Sequence, residues 1–219
     1  MNAAALPNLL KALARKITRR PQPVPAIDGR GRRLVAVIEC MLNQNARDAG
    51  AASFPAMNWA LVDLCREYDV GIVQMPCPEI ACLGIDRARP PGTSIRQALD
   101  TQAGRQCCTN LGVEVVDRLA TYANAGCQLL AILGGNPQSP GCAVHDRGDA
   151  LLPESGVLMR ELQTELRKRG MEIPFRSLRD ADAELLKQDL DGLRGVFVAA
   201  GQDIQQEQKG LGSIFSPQV

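Results

Sequence analysis

The sequence predicts an α/β fold: a single Rossmann-like or flavodoxin-like domain with a mainly parallel sheet flanked by helices. Three observations predict it. Short apolar runs at 33–38, 70–74 and 128–133 are bounded by charged or turn-forming residues, the pattern of strands buried on both faces. Stretches with helical spacing alternate with these runs, as in strand–helix–strand units. The chain has 219 residues, of which 45% are apolar, enough for one sizeable core. Only 3% are aromatic, so Leu, Val, Ile and Ala must fill that core.

The elements follow in order. Lys and Arg crowd the first 33 residues against one acid, Asp28. Leu9, Leu10, Leu13 and Ile17 fall near helical spacing, so 7–17 reads as a short basic amphipathic helix. Pro21, Pro23 and Pro25 then read as an extended linker. No apolar run follows the charges, so this is not a secretory signal. Residues 1–32 are read as a solvated basic extension, in preference to a transit peptide or a membrane-surface helix.

The α/β domain is predicted over 33–201. Arg33-Leu-Val-Ala-Val-Ile38 is the first strand, 57–68 a helix with Met57, Leu61, Leu64 and Cys65 on one face, and 70–74 the second strand. Residues 93–125 read as mostly helical with a break near Gly112, and 128–133 as the third strand. A helix with Ser155 as N-cap carries Leu158, Leu162 and Leu166 every four residues and ends before Gly170. A fourth strand at 171–175, a helix at 180–190 and a fifth strand at 195–199 complete the domain. The polar, Gln- and Gly-rich 202–219 is expected to lack fixed structure.

A net charge of +1 gives no pull toward a nucleic acid polymer, and no run is long and apolar enough to span a bilayer. The expectation is a cytoplasmic protein acting on a small-molecule substrate; the oligomeric state is left open.

Ligands of a doubly wound sheet bind beyond the carboxyl ends of its strands. That rule sorts the eight cysteines. Cys40 follows the first strand, Cys77 the second, and Cys142 lies in the loop after the third. All three loops therefore open onto one edge, and these cysteines are the candidate metal ligands. Cys65, Cys107, Cys108 and Cys127 fall in helices or at a strand entrance and read as small buried hydrophobes. Cys82, near the Cys77 loop, is a substitute or fourth ligand, or another buried hydrophobe. No CxxC pair exists, and with no export signal a disulfide framework is not expected. Glu79 is a candidate general acid or base, and Ser139 can orient a substrate or water. Their alternatives are a carboxylate at a helix start and a turn residue before Pro140. His145 reads as an exposed loop residue.

The flanking residues resemble a known group. Glu39-Cys-Met-Leu-Asn-Gln-Asn45 resembles the string HC-x-LNQN, and Gln74-Met-Pro-Cys-Pro-Glu79 resembles QLPCPE, followed by Gly84 and Arg87 of a G-x-x-R element. Asp100-Thr101 with Arg105 resembles a YDT…R element, and Ser139-Pro-Gly-Cys142 resembles SPSCG. Together, over about 34–175, they are similar to proteins related to thiouracil desulfidase. That resemblance implies a [4Fe–4S] cluster on Cys40, Cys77 and Cys142, with one iron free of protein ligands to bind the sulfur of a thiocarbonyl compound. It implies Glu79 and Ser139 as catalytic carboxylate and hydroxyl. Asn43, Asn45, Arg87 and Asp100 are the expected substrate contacts. The implied reaction replaces C=S by C=O through hydrolysis.

Three positions depart from the pattern. Glu39 stands where the family has His, Gly141 where it has the second Ser of SPSC, and Leu99 where it has Tyr. The first alters charge beside the cluster, and the third takes an aromatic from the expected pocket. Kept alongside are a cluster-dependent hydro-lyase, a non-catalytic redox or metal sensor, and zinc on the three thiolates.

Overall fold

In the computed structural model β1 (Arg33–Ile38) lies at the middle of the sheet, with Val35, Val37 and Ile38 fully buried. Residues 28–147 and 150–214 are described, with side chains at 28–145 and 150–202. The predicted helix at 7–17 and the three linker prolines lie outside the described residues. The chain divides into two units, Met1–Arg30 and Gly31–Val219. In the first, Arg30 Nε pairs with Asp28 Oδ1 at 2.7 Å. Everything below concerns the second.

From β1 the chain makes the single turn α1 (Glu39–Leu42), a 3-10 turn at Gln44–Ala46, then α2 (Trp59–Glu67). Asn58 caps α2 by accepting from the Leu61 amide, and Leu61, Leu64 and Cys65 form its buried face. β2 (Gly71–Met75) follows, then α3 (Pro78–Leu83), α4 (Ile95–Leu99) and α5 (Gln102–Asn124). Ser94 and Gln97 close a capping box on α4. The predicted break near Gly112 falls instead at Asp100–Thr101, because the Thr101 hydroxyl caps α5 through the Gly104 amide. Gly112 instead faces the next long helix, where a Cβ would make an ordinary 3.6 Å contact with the backbone at Glu161 and Leu162.

β3 (Gln128–Gly134) leads into the two-residue strands β4 (Asp146–Arg147) and β5 (Ala150–Leu151), which pair with each other, and then α6 (Val157–Lys168). Gly156, not Ser155, is the N-cap of α6. The Ser155 hydroxyl is taken by the His145 backbone, donating to its carbonyl at 2.7 Å and accepting from its amide at 3.0 Å. β6 (Phe175–Ser177) and α7 (Ala183–Ile214) end the described chain.

The main sheet has the order β2-β1-β3-β6, with every pairing parallel. This is an α/β fold of Rossmann-like, flavodoxin-like type, as the sequence predicts. β1 and β3 are the continuous apolar runs because neighbours cover both their faces. The edge strand β2 alternates, and β6 meets β3 over three residues. The helices pack as α5 with α6 and α2 with α7, and these pairs flank the sheet.

The fourth strand lies later than predicted, at Phe175–Ser177 rather than 171–175. The predicted fifth strand is wrong: 195–199 lies inside α7, which also starts three residues later than the helix expected from 180. Leu186, Leu190, Leu193, Phe197 and Ala200 recur at steps of four and three, and this stripe packs into the core. The backbone of α7 continues through 202–214, a stretch whose composition predicts no fixed structure. Residues 215–219 lie outside the described residues. Among the described residues, no helix is long and apolar enough to cross a membrane.

A second correction concerns the cysteines. Cys82 and Cys107 form a disulfide that ties α3 to α5, so Cys82 is neither a ligand nor a buried hydrophobe. The packing of these helices brings the two Cα atoms to 5.8 Å, a proximity that residues 25 apart in sequence do not reveal.

Candidate functional site

Sheet order puts the switch point between β1 and β3, where crossovers leave in opposite directions and a crevice opens. A cavity of about 1190 Å³ lies there. Cys40, Cys77 and Cys142 line it, together with Glu79, Ser139 and Arg87. Each thiol follows the strand that predicts it: Cys40 in α1 after β1, Cys77 as the N-cap of α3 after β2, and Cys142 in the loop after β3.

The three thiols are buried. A hydrogen bond couples the Cys40 and Cys142 thiols. The hydrogen bond from Cys142 pulls the Cys40 thiol below its ordinary value, against burial, with help from the Arg47 guanidinium. The same bond, with burial, drives Cys142 far up. Cys77 joins them through charge alone, and burial, with the nearby Glu79 carboxylate, pushes it up to about 11 against the amide of Ile80.

Ser139 links the thiols to the carboxylate. Its Oγ accepts from the Cys142 amide at 3.2 Å, lies 3.0 Å from Cys142 Sγ and reaches Glu79 Oε1 at 3.5 Å. The hydroxyl has one proton and two acceptors within reach, the sulfur and the carboxylate. Glu79 is held from its other side by Arg87 Nε at 3.4 Å. Arg87 is itself fixed: Nη1 donates to the Ile85 carbonyl at 2.6 Å and Nη2 to that of Ala46 at 2.5 Å. Its φ of +47° lies in the left-handed region that side chains avoid, a cost these bonds offset.

The sequence singles out neither of the two residues that hold the Cys40 loop. Arg47 and Asp180 form an ion pair, with Nη2 2.7 Å from each carboxylate oxygen and side-chain exposures of 7% and 0%. Asp180 also accepts from Gln44 Nε2 at 3.3 Å and Asn136 Nδ2 at 2.9 Å. One carboxylate therefore binds the segments after β1, β3 and β6. Arg47 Nη2 lies 3.9 Å from Cys40 Sγ. Position at a strand end was the only available signal: Asn136 follows β3 directly, and Asp180 follows β6 once β6 is correctly placed.

Other expected substrate contacts lie elsewhere. Asn43 and Asn45 are exposed and bond to each other, with Asn43 Oδ1 accepting from the Asn45 amide and side chain at 3.2 and 3.0 Å. Asp100 pairs with Arg105 and Arg160 at 3.3 and 3.2 Å, and none of these three lines the cavity. Leu99 is fully buried against Cys108 and Val157, so the missing tyrosine takes no aromatic from the cavity wall. Phe54 supplies one there. His145 is half-buried rather than exposed, and its Nε2 lies 3.0 Å from the Pro137 carbonyl.

The departures from the resembled pattern have structural explanations. The Glu39 carboxylate accepts the Cys77 amide at 2.9 Å, tying the ends of β1 and β2 together. A Cβ on Gly141 would stand 2.5 Å from Pro78 Cγ, so this loop presses onto the start of α3.

Three thiols form an all-sulfur donor set of the kind that holds iron–sulfur clusters. Gly135 brings its backbone close beside them, where an added Cβ would lie 2.9 Å from Cys142 Sγ. No group of three His, Cys, Asp or Glu side chains among the described residues is arranged to hold a metal ion.

Comparison with known proteins adds one relative. The chain is 27% identical over 139 residues, 64% of its own length and 81% of the other's, to a protein described as uncharacterized protein MJ0003 from Methanocaldococcus jannaschii. No protein-family model matches the chain. No solved structure matches it. The resemblance to thiouracil desulfidases therefore rests on the motifs of this chain.

Proposed function

We propose that the protein is an iron–sulfur cluster-dependent desulfidase that hydrolyses the thiocarbonyl group of a small thiolated compound. The observation that carries this reading is the Ser139 hydroxyl, in reach of both the Cys142 sulfur and the Glu79 carboxylate on the wall of one cavity. A bound [4Fe–4S] cluster would be held by Cys40, Cys77 and Cys142 and would supply a thiophilic Lewis acid with one position free of protein ligands. Glu79 takes a proton from the attacking water, and Arg87 keeps that carboxylate aimed into the cavity. Ser139 relays a proton from the protonated Glu79 toward the departing sulfide, receiving one as it gives one. Phe54 offers an aromatic face to a planar heterocycle.

The test is anaerobic reconstitution of the full chain followed by iron and acid-labile sulfide analysis, with about four of each per chain expected. Incubation with 2-thiouracil should release sulfide and yield uracil. Glu79→Gln should keep the iron and lose the release. Iron-free protein, or unchanged turnover in Glu79→Gln, would overturn the reading. Iron retained with no sulfide release from any thiolated base would favour the sensor or hydro-lyase alternative.

A further inference from the structure

Five cysteines stand outside the cavity: Cys65, Cys82, Cys107, Cys108 and Cys127. Three of them meet at one place. The Cys82–Cys107 disulfide joins α3 to α5, and Cys108 Sγ lies 4.0 Å from Cys82 Sγ. A disulfide sulfur carries no proton, so the Cys108 S–H is the donor in that contact. Cys108 is fully buried against Leu99 and Val157, whereas Cys82 and Cys107 are only half-buried. A sheltered thiol is thus held against one end of a disulfide formed by two half-buried residues.

We propose that Cys82, Cys107 and Cys108 form a thiol–disulfide exchange site whose external co-reactant is a dithiol. In the internal step Cys108 gives up its proton and its sulfur bonds to Cys82 Sγ. The Cys82–Cys107 bond breaks, its electron pair leaves on Cys107, and that sulfur takes a proton from solvent. The step is an isomerisation and needs no oxidant. In the external step a dithiol gives two electrons and two protons to the disulfide and is itself oxidised to a disulfide. The internal step moves the reactive thiol from the buried position 108 to the half-buried position 107. Only the external step frees α3 from α5.

Geometry sets the pairings and protonation sets the pace. Burial, with the Glu161 and Asp100 carboxylates and against Arg160, pushes Cys108 up to about 12. The attacking thiolate is therefore scarce near neutrality, and exchange quickens as pH rises.

The experiment uses the folded full-length chain with N-ethylmaleimide, followed by acid quench, digestion and fragmentation mass spectrometry. The expected product carries the label on Cys107 with Cys82 joined to Cys108. Its rate should rise about tenfold per pH unit, with the Cys108 thiolate fraction. Cys108→Ser should keep Cys82–Cys107 closed and Cys107 unlabelled. In Cys107→Ser, oxidised glutathione should produce the Cys82–Cys108 bond. The proposal is overturned by a wild-type chain in which Cys107 is never labelled. Equal labelling in Cys108→Ser overturns it, as does Cys107→Ser with both remaining thiols free.

Discussion

Asp180→Ala tests how the edge of the sheet is held together. The carboxylate is fully buried and accepts both 2.7 Å contacts from Arg47, with further bonds from Gln44 and Asn136. Removing one partner of a buried pair leaves the other charge without compensation, at about 4 kcal/mol. At about 1.4 kcal/mol per decade, the folding equilibrium should fall by roughly a thousandfold. Urea unfolding followed by far-UV circular dichroism measures it. A companion double substitution, Arg47→Met with Asp180→Leu, removes both charges together. It should recover much of the loss, because no buried charge is stranded. A single variant within about 1 kcal/mol of the parent, the worth of an exposed pair, would refute the reasoning. So would a double variant less stable than Asp180→Ala.

Three further outcomes are expected. Gly141→Ser should destabilise the chain by about 1–3 kcal/mol and lower iron retention after reconstitution, because a side chain there meets Pro78; calorimetry and iron analysis read the two effects. Glu39→Gln should cost about 1 kcal/mol in urea unfolding, since a neutral acceptor replaces the charge-assisted bond to the Cys77 amide. Cys65 gives a pH signature: burial pushes its thiol from 9.0 up to about 12, so the folded chain keeps a proton that the unfolded chain loses. Stability from this group is full below 9.0 and is lost as pH rises toward 12, at about 1.4 kcal/mol per pH unit, so Cys65→Ala should flatten the alkaline fall of the free energy of urea unfolding by that amount.

β1 and β3 were legible because a strand covered on both faces must be apolar throughout, and few other elements of that length are. β6 was not, since Phe175-Arg-Ser177 pairs on one side only and has one buried residue. The run at 195–199 is ambiguous in sequence because its four apolar residues after Gly195 fit a buried strand or a helix face equally well. The wider spacing from Leu186 to Ala200 decides it. At the site, the three cysteines, Glu79 and Ser139 were legible from their places after strands. Arg47 and Asp180 were not, because 133 residues separate the partners and neither sits in a recognisable string. The disulfide was hidden for the same reason.

The contact between Gly141 and Pro78 has a consequence for comparing relatives. The two positions occupy one volume, so they cannot vary independently. A relative with Ser at 141 must seat the start of α3 farther from the loop, and Cys77 and Glu79 move with that helix. Position 141 therefore reports on how far the start of α3 sits from the loop after β3.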